Sequence, residues 1–138
     1  MTPQALADIH AAAFTTPRPW RADEFAAFLA DDACDLVALP GGFALIRTAA
    51  DQAELLTIAV DPGHRRRGMA TTLLARCRAQ ARERGAVTLF IEVAADNRGA
   101  IALYEKTGFV RTGHRPDYYT CPDGTRSGAL VMARDLSV

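Results

Sequence analysis

The chain has 138 residues, 49% of them apolar and 23% charged, and its 16 Lys and Arg balance 16 Asp and Glu. That length suits one domain, residues 1–138, with one real core, and the zero net charge removes the general attraction to nucleic acid that a basic chain would have. No run approaches the ~18 apolar residues of a membrane span and no export signal opens the chain, so a protein of the cytoplasm with no membrane or nucleic-acid partner is expected.

Residues 3–14 place Leu6, Ile9, Ala13 and Phe14 on one helical stripe. After Pro17-Arg18-Pro19, residues 21–30 repeat the pattern with Phe25, Phe28 and Leu29. Residues 35–39 and 43–48 flank Pro40-Gly41-Gly42 and read as a tight β-hairpin. Residues 54–60 are apolar on both faces, which predicts an inner strand, and they run into a turn at Asp61-Pro62-Gly63. A helix over 68–84 sets Ala70, Leu73, Leu74, Cys77 and Ala81 inward and Arg76, Arg78, Arg82 and Glu83 toward water, with Gly85 as its stop.

In residues 87–93, Val87, Leu89, Ile91 and Val93 alternate with Thr88, Phe90 and Glu92, as in a strand. Asp96 or Asn97 caps the next helix, which carries Ala100, Ile101 and Tyr104 and ends at Gly108. Residues 109–119 and 126–136 close the chain as a hairpin over Pro122-Asp123-Gly124. This order predicts an α/β (α+β) fold, a mixed sheet covered by helices, with a ligand site at the C-terminal end of an inner strand.

The segment after that strand carries chemistry. Arg65, Arg66, Arg67, Gly68, Met69, Ala70 and Thr71 lead from the turn into a helix N-terminus, an arrangement of cations and backbone N–H groups suited to a pyrophosphate. It matches neither the dinucleotide fingerprint nor the P-loop, and an ordinary basic turn is the alternative. Residues 1–63 hold three arginines against nine carboxylates, and the remainder thirteen basic against seven acidic. Such asymmetry suits an anionic cofactor on one side and a cationic substrate on the other, or arises by chance on a soluble surface. Cys34, Cys77 and Cys121 show neither disulfide nor zinc spacing, and no metal is expected.

Five motifs stand in register: Glu54 to Pro62, Arg65-x-x-Gly68-x-Ala70, Leu89 to Val93, Asn97-x-x-Ala100 through Tyr104 to Gly108-Phe109, and the late Tyr118-Tyr119. Together they resemble the GNAT superfamily of acetyltransferases, most closely the ribosomal-protein-alanine N-acetyltransferases of the RimI type. The resemblance implies acetyl-CoA as cofactor, CoA as product, a V-shaped opening between the third and fourth strands, and transfer to a peptide or protein N-terminal amine, such as that of a ribosomal protein. It also implies roles. Glu92 matches the proton acceptor and Tyr104 the proton donor to the leaving thiolate. The 65–71 segment holds the pyrophosphate, Ile58, Ala59 and Val60 meet the pantetheine arm, and Asn97 bonds to it. Trp20, Tyr118 and Tyr119 flank the acceptor entrance.

Each residue has a plainer reading beside that one. Glu92 also fits a solvated strand face or an ion pair, Tyr104 the core, Asn97 a helix cap, and the three aromatics core closure. Three departures from the pattern stand out: Ala70 replaces the commoner glycine, Arg126-Ser127-Gly128-Ala129 lacks two carboxylates usual on the substrate side, and no strand precedes the first helix. The last leads to the expectation of an exposed sheet edge there and of a monomer or weak dimer.

Overall fold

The computed structural model describes residues 1–13, 19–64 and 68–137. Phe14, Pro17, Arg18, Arg65, Arg66 and Arg67 lie outside them. Helix α1 (Pro3–Ala13) buries Leu6, Ala7 and His10, and α2 (Ala22–Ala30) buries Phe25. Leu29, expected on the inner stripe, is 37% exposed, because the short α2 turns a single side chain, Phe25, fully inward.

The first hairpin, β1 (Cys34–Leu39) and β2 (Gly42–Ala49), forms as the Pro-Gly pair predicts. A second, unforeseen hairpin follows at once: β2 turns through Ala50, at φ 55°, into β3 (Gln52–Val60). A 3₁₀ turn (Pro62–His64) leads toward α3 (Met69–Glu83), then β4 (Thr88–Ala94), α4 (Arg98–Lys106), β5 (Val110–Thr120) and β6 (Arg126–Asp135). Among the described residues the six strands form one sheet in the order β1-β2-β3-β4-β6-β5, antiparallel except where β3 runs parallel to β4. The apolar β3 is thus an inner strand, as its sequence requires, and β1 is an edge that pairs with β2.

Two apolar layers hold the sheet. On one face Leu73, Leu74, Cys77 and Ala81 of α3 and Ile101 and Tyr104 of α4 pack on Leu55, Leu89 and Ile91. On the other, Leu6 and Phe25 pack on Phe43 and Ala59. Two expectations need correcting. Val87 is 44% exposed and precedes the strand, its N–H donating to Asp51 O at 2.7 Å at the junction with the β2–β3 turn. Arg78 is half-buried rather than solvated, and burial followed by the nearby charges of Arg134 and Arg82 lowers its pKa.

Gly108 ends α4 at φ 97°, so that Phe109 N–H reaches Tyr104 O at 2.9 Å and the Phe109 ring packs edge-on to Tyr104. A Cβ at Gly108 would meet the Arg134 guanidinium, which donates to Thr107 O. Gly108→Ala is therefore expected to cost about 1–3 kcal/mol, from the left-handed backbone and a displaced hydrogen bond. Urea unfolding should show a lower midpoint with an unchanged slope.

Candidate active site

A register change creates the site. β3 and β4 pair from Gln52↔Thr88 to Leu55↔Ile91, and there the pairing ends. At the same point the β2–β3 ladder shifts, with Leu45 opposite Thr57 and Ile46 opposite Leu55, so Leu56 is an inserted residue. A bulge of this kind bends its strand and exchanges its faces. Leu55 faces α3, yet Thr57 and Ala59 face α1 and α2, while Ile58 and Val60 pack on the α3 side. Beyond the bulge the two parallel strands diverge.

The divergence opens a cavity of about 570 Å³, walled by residues 54–60 of β3 and 91–94 of β4. Ala70 of α3 lies at its rim, Asn97, Ala100, Leu103 and Tyr104 of α4 line another side, and Trp20, Phe28, Tyr118 and Tyr119 complete it. The structure brings all the predicted site residues among these to one space. The side chains of Ile58, Ala59 and Val60 are engaged in the two cores. These residues therefore offer the cavity mainly the backbone groups that β2 leaves unused.

Glu92 stands on the β4 wall with its side chain 26% exposed, and its Oε1 lies 3.2 Å from Nη1 of Arg115. It thus occupies the cavity and an ion pair at once. Glu92 also borders a second hollow of about 440 Å³ on the same sheet face, where Arg47, Glu54 and Arg115 converge. Tyr104 is 5% exposed and packs against Phe109 with ring centroids 5.7 Å apart. Burial, with smaller contributions from Cys77 and Tyr119, raises its phenol well above the ordinary value, so it stays protonated.

Tyr119 is half-buried and its pKa is pushed up to about 12, by burial first and then by the charge of Glu92. Its ring meets Tyr118 edge-on at 5.0 Å, and the Arg115 guanidinium lies 5.2 Å over the Tyr118 ring. This cluster depends on a second irregularity, the register shift between Arg115 and Tyr119, with Asp117 at φ 54°. Arg115 was not found from the sequence, because an earlier shift, between Arg111 and Gly113, sets it on the Glu92 face against simple alternation.

The opposite lip is built by α1. His10 is 1% exposed and lines the cavity. Its Nδ1 accepts from Trp20 N–H at 2.9 Å and its Nε2 lies 2.9 Å from Thr57 Oγ1. A histidine on the buried side of a helix gave no sequence signal beyond its presence.

Toward α3 the site suits an anion. Gly68 is the N-cap at φ 70°, and the first intrahelical bond described runs from Thr72 N–H to Gly68 O at 3.1 Å. Among the described residues the N–H groups of Met69, Ala70 and Thr71 have no acceptor, as at any helix start, and the dipole of this 15-residue helix favours negative charge there. Asn97 caps α4, its Oδ1 accepting from Ala100 N–H at 3.2 Å, which leaves its NH₂ to donate toward the cavity.

A divided parallel strand pair with an anion cradle at the following helix defines a class. The chain belongs to the acetyltransferase (GNAT) family, whose model matches residues 4–109. It is similar to the ribosomal protein bS18-alanine N-acetyltransferase of Escherichia coli, with 42% identity over 96 residues, 70% of this chain and 64% of that protein. The match therefore spans less than two thirds of that relative. The crystal structure of the Escherichia coli ribosomal-protein-alanine N-acetyltransferase matches with a TM-score of 0.87 at 33% identity, over 99% of this chain and 88% of that one. Nourseothricin acetyltransferase matches with a TM-score of 0.62 at 32% identity, over 70% of this chain and 58% of that one.

Proposed function

We propose that this chain transfers acetyl from acetyl-CoA to the N-terminal α-amine of a peptide or protein, with a ribosomal protein as the natural acceptor class. One observation carries the reading: the split between β3 and β4 places the Glu92 carboxylate and the buried Tyr104 phenol on the same cavity. Acetyl-CoA supplies an activated thioester and a thiolate leaving group. The open N–H groups of Met69, Ala70 and Thr71 suit its pyrophosphate, and the free backbone edge of residues 56–60 suits the amide-rich pantetheine arm, with Asn97 donating to it. The roles assigned to Arg65, Arg66 and Arg67 rest on the family resemblance.

The amine must be neutral to attack. An N-terminal amine, with a pKa of about 7.7 to 8.0, gives up its proton far more readily than a lysine near 10.4. Glu92 takes that proton, directly or through one water, and Arg115 orients its carboxylate. Backbone N–H groups on the β3 edge face the oxyanion. Tyr104 delivers its hydroxyl proton to the sulfur as the C–S bond breaks. Cys77 is buried in the core, its thiol pushed up to about 12 by burial, and offers no nucleophile for a covalent route.

The test is CoA release with mass analysis from three acceptors: a peptide with a free N-terminal Ala, the same peptide N-blocked but containing Lys, and a polyamine mixture. Acetylation of the free peptide alone supports the reading. Transfer only to polyamines would make the chain a small-molecule acetyltransferase, and tight acetyl-CoA binding without turnover on any amine would make it a cofactor sensor. Glu92→Gln is expected to slow the peptide reaction about a hundredfold and to move its rate profile to higher pH, since deprotonation then falls to solvent. An unchanged profile would remove Glu92 as the base.

A further inference from the structure

We propose that His10 is the positioning residue for the acceptor: it ties the Trp20 lip of the cavity to the β3 wall and turns the Thr57 hydroxyl proton toward the bound peptide. This rests on the N-terminal acetyltransferase reading above. Trp20 N–H can donate only to a bare Nδ1, so the imidazole is neutral and carries its hydrogen on Nε2. Nε2–H must then donate to Thr57 Oγ1, and a hydroxyl that accepts on its oxygen keeps its own proton for another partner.

Each link of this chain borders the cavity. Trp20, His10 and Thr57 all line it, and Thr57 sits one residue past the Leu56 bulge, where β3 leaves β4. The direction of donation is therefore fixed from the loop, through α1, into the strand. A peptide acceptor brings a carbonyl oxygen three bonds from its reacting amine, and the Thr57 proton offers it a partner. The aromatic packing keeps the imidazole in place: it stacks on Trp20 at 5.1 Å and meets Phe25 edge-on at 5.4 Å. A residue needed only for packing would not require two polar atoms in a nearly dry aromatic cluster.

Protonating His10 would break the Trp20 bond, so the chain of donors exists only in the neutral state. Burial lowers its pKa to about 4, against a smaller opposing effect of Glu24 on α2, which itself lies 3.7 Å from Arg21. Trp20 is the single tryptophan of the protein, and its emission reports directly on the stacked ring. A charged imidazole quenches indole, a neutral one does so weakly.

Two experiments test the proposal, one of them independent of activity. Wild-type fluorescence should stay level from pH 8 to 5 and fall in a step near pH 4, with far-UV circular dichroism showing the fold intact. The step should persist in Glu24→Gln and vanish in His10→Asn, which keeps an acceptor for Trp20 but has no titrating ring. A step near 6.5, or one retained in His10→Asn, would overturn the assignment whatever the enzyme acetylates. In turnover, Thr57→Val and His10→Asn should each raise the KM for the free-N-terminus Ala peptide about tenfold, and the double variant no more than either, since one chain is cut twice. The KM for acetyl-CoA should not move. An unchanged peptide KM with only a lower melting temperature or kcat would reduce His10 to a core residue.

Discussion

Tyr104→Phe is expected to lower kcat by about a hundred- to ten-thousand-fold and to leave acetyl-CoA affinity unchanged. The substitution removes one oxygen and keeps the ring, so the edge-on contact with Phe109 and the burial on the α4 face survive. What disappears is a hydroxyl held protonated by burial at the floor of the cavity. In free solution a phenol near 10 is a poor match for a thiolate near 8.5. Burial raises the Tyr104 phenol further, so it acts as a neutral donor whose hydrogen bond steadies the charge growing on sulfur and whose proton passes as the C–S bond breaks. A leaving thiolate in the cavity gains more from a donor there than it would in water. Steady-state rates and a separate binding isotherm for acetyl-CoA decide the matter, and a parallel loss of both would make Tyr104 a packing residue.

Stability should fall as the pH drops from about 6.5 to about 4, and His10 should account for about 3 kcal/mol of the loss. Its folded pKa of about 4 lies below the ordinary value of 6.5, so the unfolded chain takes up a proton over this interval while the folded one does not. Above 6.5 both states are neutral and no penalty applies. Below 4 both are charged and the penalty is complete, at about 1.4 kcal/mol for each tenfold difference in proton affinity. The cause is the dry pocket of Trp20, Phe25 and Phe43 around a ring whose two nitrogens are already engaged. Denaturant midpoints measured at pH 7, 5.5 and 4 should decline more steeply in the wild type than in His10→Asn. Equal slopes would place the acid sensitivity elsewhere.

The legible part of this molecule was local. The apolar run of β3 told that it lay inside the sheet, the 3.6-residue stripe of α3 told which side chains met the sheet, and Asn97 told where α4 began. Glu92 was visible as a carboxylate on the face opposite Leu89, Ile91 and Val93, and that alternation is what the strand shows. Its partner was not visible. Arg115 shares a face with Glu92 because β5 slips register between Arg111 and Gly113, and a two-residue repeat read along the chain assumes no slip.

The sequence by itself therefore determined the elements, their order and the family, because periodicity, capping and turn chemistry act over a few residues. It also carried one unread sign of the bulge, the interval of three from Leu55 to Ile58 on the α3 face where an unbroken strand keeps intervals of two. Only the tertiary structure decided where β3 and β4 part, and with that which side chains share a cavity. One inserted residue, Leu56, exchanges the faces of β3 and ends its pairing with β4, and the resulting gap is closed by α1, α4 and β5 from distant parts of the chain. Convergence of that kind depends on packing between elements, which no local pattern encodes.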